Sequence, residues 1–156
     1  MRKLIMICLF AVLFSCSSTQ DVAKIQAVSQ MIESADYVFV AEMALPMGSA
    51  GFFLTSPYTL KVTKDLLTSY LPYFGRAYRA PFDPTDGGIQ FESIRFDYQV
   101  TKKSGGWDIE LKPADVSRKY RMLLDVNEFG NATLSVTSDD RQTISFNGYL
   151  EQGSGE

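Results

Sequence analysis

Phe96-Asp-Tyr-Gln-Val-Thr-Lys-Lys-Ser-Gly-Gly-Trp-Asp-Ile-Glu-Leu-Lys112 decides the fold. Phe96, Tyr98 and Val100 alternate with Asp97, Gln99 and Thr101, and Trp107, Ile109 and Leu111 alternate with Asp108, Glu110 and Lys112. Side chains on a strand point to opposite faces by turns, so each run has one dry face and one wet face. Ser104-Gly105-Gly106 between them is a hairpin turn built from residues that tolerate positive φ. A parallel partner would need a crossover of a dozen residues or more, and none is available here. The two runs are therefore antiparallel neighbours.

The same rhythm spreads in both directions. Tyr120, Met122, Leu124 and Val126 follow, then Ala132, Leu134 and Val136, then Ile144, Phe146 and Leu150, with turns around Gly130 and at Ser138 to Arg141. Upstream, Tyr37 to Leu45, Tyr58 to Val62, Ile89 to Ser93 and a segment over Arg76 to Ala80 supply further strands. The phase of alternation slips between Phe91 and Ile94, which predicts a bend or bulge there. The expected fold is mainly β: an antiparallel up-and-down meander of about eight strands that closes into a barrel and so removes its edges. One helix precedes it. Val22, Ile25, Val28, Met31/Ile32 and Ala35 fall on one helical face, and Asp21 is placed to cap the N-terminus.

The chain has 156 residues, which suits one domain. Its first part reads as an address. Arg2 and Lys3 precede an uncharged apolar run from Leu4 to Phe14, too short to span about 30 Å of hydrocarbon but suited to a secretory leader. Leu13-Phe14-Ser15-Cys16 resembles the lipobox of bacterial lipoproteins, with Phe14 bulkier than the small residue usual there. That resemblance implies a leader over residues 1–15, an acylated Cys16, a tether over 16–21, and an outer-membrane address facing the periplasm. A single domain would then occupy 22–152, with 153–156 a frayed tail. Loss of Arg2 and Lys3 with the leader takes the net charge from −3 to −5, and an acidic body does not suit nucleic acid.

Function classes fall away quickly. There is no histidine, and both cysteines, Cys8 and Cys16, lie in the first sixteen residues. Disulfide scaffolds, Cys/His metal sites and His-assisted nucleophiles are excluded. No phosphate loop or Ser nucleophile motif occurs. Asp83 and Asp86 echo a calcium loop only loosely and read as turn caps, Asp139-Asp140 as a hairpin turn, and Asp108 with Glu110 as a solvated face. No cofactor is expected, and the chain reads as a binding protein, not an enzyme.

One segment breaks the rhythm. Tyr70 to Gly88 carries three of the six prolines and several aromatic residues. Long loops in compact domains are either functional or firmly packed. Arg76 or Arg79, set among Tyr73, Phe74 and Tyr78, could present donors to a carboxylate or phosphate, with Arg141 a third cation. The alternative is that Arg76 pairs with Asp83 or Asp86 and pins the loop, while the rings plug the barrel end. Two readings follow: a small amphipathic or anionic ligand held at the barrel mouth, or a filled barrel that contacts another envelope protein or a glycan. Tyr70-Leu-Pro-Tyr-Phe-Gly-Arg-Ala-Tyr78, Asp86-Gly-Gly-Ile-Gln-Phe91 and Arg141-Gln-Thr-Ile-Ser-Phe-Asn-Gly148 resemble a family of small Bacteroidetes lipoproteins, domain of unknown function four-two-five-one. The resemblance spans roughly residues 25 to 150 and implies a lipocalin-like barrel behind a lipoprotein signal, with no activity attached.

Overall fold

The computed structural model describes residues 17–76 and 87–153. The leader 1–15, Cys16, residues 77–86 (with Tyr78, Arg79, Phe82, Asp83 and Asp86) and 154–156 lie outside the described residues. Helix α1 (Ser17–Ser34) leads into nine strands: β1 (Tyr37–Pro46), β2 (Phe52–Val62), β3 (Leu67–Pro72), β4 (Gly88–Ser93), β5 (Phe96–Lys103), β6 (Gly106–Pro113), β7 (Tyr120–Asn127), β8 (Asn131–Ser138) and β9 (Ile144–Gln152). They form one sheet in the order β4-β3-β2-β1-β9-β8-β7-β6-β5, antiparallel at every pairing. The sheet rolls into a nearly closed barrel.

Nine strands where about eight were expected has a topological cause. Eight antiparallel pairings separate β4 from β5, and an even number of reversals makes the two run in the same direction. Only Ile94 and Arg95 lie between them. They are two halves of one bent strand: the first half pairs with β3, the second with β6. The bend is where the alternation slips in the sequence. It is held from outside, because the Ser93 hydroxyl bonds the Asp115 carboxylate, Ile94 N donates to Asp115 Oδ2 at 3.0 Å and Ala114 N donates to the Arg95 carbonyl at 2.8 Å. The Ser93 hydroxyl, then the Ile94 amide, hold the Asp115 carboxyl below its ordinary range. A second irregularity, a bulge in β1 between Ala41 and Met43, shifts the register against both neighbours and leaves Glu42 exposed.

The inside of the barrel is packed with side chains. Tyr37, Phe39, Leu60, Ile109, Met122, Leu134 and Phe146 are all essentially fully buried, and a single apolar cluster joins them to Trp107 and to Val28 and Ile32 of α1. Burial of such side chains contributes roughly 1.5–3 kcal/mol each. The Tyr37 hydroxyl is buried beside Tyr98, and burial, then the Tyr98 phenol, pushes its pKa well above the ordinary phenol value. Tyr98 in turn donates to the Ile32 carbonyl at 2.9 Å, which fastens α1 to β5.

The helix departs from its expected bounds. It starts at Ser17, so Asp21 lies within it and caps nothing, and residues 17–21 are helix where a tether was expected. Only its second half packs: Val28 and Ile32 are buried, whereas Val22 is 54% exposed. It ends in a left-handed Ala35 (φ 49°), with Asp36 N donating to the Met31 carbonyl at 3.1 Å. Among the described residues, no helix is long and apolar enough to cross a membrane.

Candidate functional site

β3 ends at Pro72, which lacks the N–H that would continue the ladder, and the chain turns over the barrel mouth. Tyr73 is half-buried there, and its phenol lies 2.8 Å from the Arg76 carbonyl and 3.0 Å from the Gln142 carbonyl. Gln142 N donates to the same Arg76 carbonyl at 3.0 Å. Gly75 is required between them, since a Cβ at that position would collide with the Tyr73 phenol. Residues 73–76 are thereby fastened to the segment that leads into β9.

Arg141 lies beneath this knot. It is 4% exposed, its Nη1 donates to the Gly88 carbonyl at 3.0 Å, and its guanidinium sits 4.9 Å from the centre of the Tyr73 ring. Both contacts are to the protein's own frame and tie β9's lead-in to Gly88 and to the Tyr73 ring. The expected partners of the Arg76 side chain, Asp83 and Asp86, lie outside the described residues; within them Arg141 and Tyr73 form a pin to which Arg76 contributes its backbone carbonyl.

What the knot leaves open is a cleft of about 420 Å³, lined by Met47, Gly48, Ser49, Phe74, Gly75, Arg76 and Gln142. Its volume lies in the range of small-molecule sites. Its apolar lining comes from Phe74 and Met47, which are 46% and 58% exposed. Arg76 and Gln142 are the polar long side chains among the lining residues. Phe52 meets Phe74 edge-to-face at 4.8 Å, and Phe53 beside it is 77% exposed. Of the residues singled out from sequence, Arg76, Tyr73, Phe74 and Arg141 are brought together here, whereas Tyr78, Arg79 and Cys16 fall outside the described residues.

Met47, Ser49, Phe52, Phe53 and Gln142 escaped sequence reasoning. The signal for the first four was present: Met43 to Leu60 is eighteen residues without a charge, and a half-buried strand with a wet face does not need so long a neutral run. Gly48, at φ 81°, turns the hairpin that presents them.

The candidate acids are tied up elsewhere. Asp108 and Asp125 are cross-strand partners on the outer face of β6 and β7 and share Lys103 Nζ at 2.8 and 2.7 Å. Glu110 is paired with Lys112 and Arg121, in that order the causes of its lowered pKa. For Asp140, burial alone would raise the pKa, but Arg118 at 2.7 Å and Ser138 outweigh it and hold the carboxyl below its ordinary range. Among the described residues no group of three His, Cys, Asp or Glu side chains is arranged to hold a metal.

Fold and site together define a small up-and-down β-barrel with a packed interior, an N-terminal helix and an aromatic mouth. The chain belongs to the DUF4251 family, a domain of unknown function whose model matches residues 19–150. The chain is also similar to the crystal structure of a DUF4251 family protein from Bacteroides eggerthii, at 14% identity and a TM-score of 0.66, covering 86% of this chain and 91% of that one. That likeness establishes the fold alone. No curated protein matches the chain.

Proposed function

We propose that this is a lipid-anchored, non-enzymatic binding protein of the cell envelope, held on the outer membrane through Cys16 and facing the periplasm, whose barrel mouth takes a small amphipathic anionic ligand. The observation that carries the reading is the cleft itself, whose lining combines Arg76 and Gln142 with the exposed apolar side chains of Phe74 and Met47. Arg76 supplies the charge and a fork of donors. Phe74 and Met47 supply the surface for an apolar portion. Residues 73–76, which supply Phe74 and Arg76 to the cleft, are already tied to Gln142 through Tyr73, so less ordering cost remains for binding there. The anchor reading rests on Leu13-Phe14-Ser15-Cys16 behind an apolar leader. Acyl chains there contribute about 0.8 kcal/mol per buried methylene.

The probe 1-anilinonaphthalene-8-sulfonate, an anion on an aromatic frame, tests the cleft. Loss of one charge-assisted contact in Arg76→Ala should weaken its binding about tenfold, equivalent to about 1.4 kcal/mol. Phe74→Ser should weaken it comparably. Unchanged binding in both variants would refute the assignment. The anchor is tested separately by Cys16→Ala, which should move the protein out of the membrane fraction.

A second reading is favoured by the packed interior and by Phe53 in particular, which lies on the rim and outside the cleft lining. In it the domain contacts another envelope protein or a glycan through the same aromatic rim. Native mass spectrometry of the protein from its own envelope separates the two: a small co-purifying mass supports the first, a polypeptide or glycan the second.

A further inference from the structure

The bend at Ile94-Arg95 leaves two strand edges, and they are treated differently. Phe91 of β4 stacks on Tyr120 of β7 at 5.1 Å, and Arg141 holds the first residue of β4 through Gly88. Of β5, Phe96 and Tyr98 pack against the core, and among the described residues its second half has no such cover. Its outer edge pairs with no described strand, and Gln99, Val100, Thr101 and Lys102 are exposed on both faces, Val100 to 41%. An exposed edge several residues long is a template for another strand.

The residues on that edge specify their complement. Partners across an antiparallel pair share a face, so a strand meeting a second copy of itself about a twofold axis must be centred on a residue. Centring on Val100 sets Asp97 opposite Lys103 twice, Gln99 opposite Thr101 twice, Tyr98 opposite Lys102 twice, and Val100 opposite itself. Centring one residue earlier sets Asp97 against Thr101 and loses both charge pairs; one residue later leaves Asp97 against Gly105. Lys103 already stands between Asp108 and Asp125 on the outer face, which fixes its ammonium on the face that Asp97 occupies. Opposite charges directly across a strand pair are favourable. In a body of net negative charge, such an edge is a place where two copies meet without repulsion.

We infer that β5 is a self-association edge: two copies of this chain pair antiparallel through Phe96–Lys103, in register about Val100, and continue one barrel's sheet into the next. One strand pair buries little surface, so the association is weak and reversible. The inference is independent of the cleft reading.

Oxidative cross-linking in membranes tests it, with the wild-type chain, whose cysteines are at positions 8 and 16, as the blank. Cross-strand Cβ atoms lie about 4.5–5.5 Å apart, close to disulfide reach. Val100→Cys should give a disulfide-linked dimer at least about tenfold above the blank, since only the residue on the axis meets its own copy. Ile94→Cys, 72% exposed but off the axis, should stay at the blank level. Adding Asp97→Lys to Val100→Cys, which replaces both charge pairs with like charges and leaves Lys103 with Asp108 and Asp125, should return the dimer to that level. A monomeric Val100→Cys chain whose thiol still reacts with a soluble maleimide would overturn the inference. So would equal cross-linking at positions 94 and 100.

Discussion

Arg141→Met tests whether the mouth is held by the pin described above. The native guanidinium donates to the Gly88 carbonyl at 3.0 Å and stacks on Tyr73 at 4.9 Å while almost wholly buried. A hydrogen bond from a charged donor is worth about 1.5–3 kcal/mol, and a desolvated cation–ring contact about 2 kcal/mol. Part of that gross value is returned, because the substitution also removes the cost of keeping a charge out of water. Methionine retains much of the length and apolar bulk but leaves the Gly88 carbonyl buried without this donor. The net loss should be about 2–3 kcal/mol, or a fall in Tm of roughly 10 °C for a domain of this size. Urea unfolding followed by Trp107 fluorescence measures it. Tyr73→Phe keeps the ring and deletes only the phenol that bridges Arg76 and Gln142, so it should cost about 1 kcal/mol. The two side chains touch through the Tyr73 ring, whose position the hydroxyl fixes, and a double-mutant cycle should show coupling above about 0.5 kcal/mol. A loss below about 0.5 kcal/mol for Arg141→Met, or strict additivity with Tyr73→Phe, would refute the pin.

Other expectations are simpler. Leu134→Ala, at a fully buried position between β7 and β9, should cost about 2–5 kcal/mol in the same assay. Phe53→Ser should leave stability within about 0.5 kcal/mol, because the ring is 77% exposed. In the cell it should reduce any rim-dependent partner recovered by pull-down. Asp115, Glu110 and Asp140 all have lowered pKa values. Their contribution is therefore fully present above the unfolded carboxyl values near 4 and is lost as pH falls through the lower folded values. Lys103 is raised, by Asp108 and then Asp125, so its contribution is present below about pH 10 and is lost as pH rises through the folded value. With no histidine in the chain, urea midpoints should be level from about pH 5 to 9. A marked slope inside that window would contradict the assignment.

How much of this was legible depended on how cleanly each strand separates wet from dry. Tyr120, Met122, Leu124 and Val126 alternate without a fault, and β7 puts all four inside and their neighbours outside. The slip at Phe91 to Ile94 was equally readable, because a bend in one strand must break the period. β3 was not legible: Leu67-Thr-Ser-Tyr-Leu-Pro72 turns Ser69 inward, and the pattern makes sense only once its hydroxyl is seen to donate to the Ile89 carbonyl at 2.7 Å. The start of β2 was hidden for the opposite reason. Phe52 and Phe53 are apolar yet exposed, so hydrophobicity pointed inward where the chain points out. In the mouth, the clustering of aromatics with arginine was visible, but the division of labour was not. That Arg141 works inside the frame while Arg76 lines the cleft depends on β9 meeting β1 and on the turn at Gly75, contacts between residues far apart in the chain.

The account stands most directly on native mass spectrometry of the intact protein released gently from its own envelope, wild type beside Arg76→Ala. It predicts a non-covalent small-molecule mass on the wild-type chain that Arg76→Ala loses while both remain folded. A bare wild-type chain, or an adduct that Arg76→Ala keeps undiminished, would contradict a filled barrel that binds at its rim.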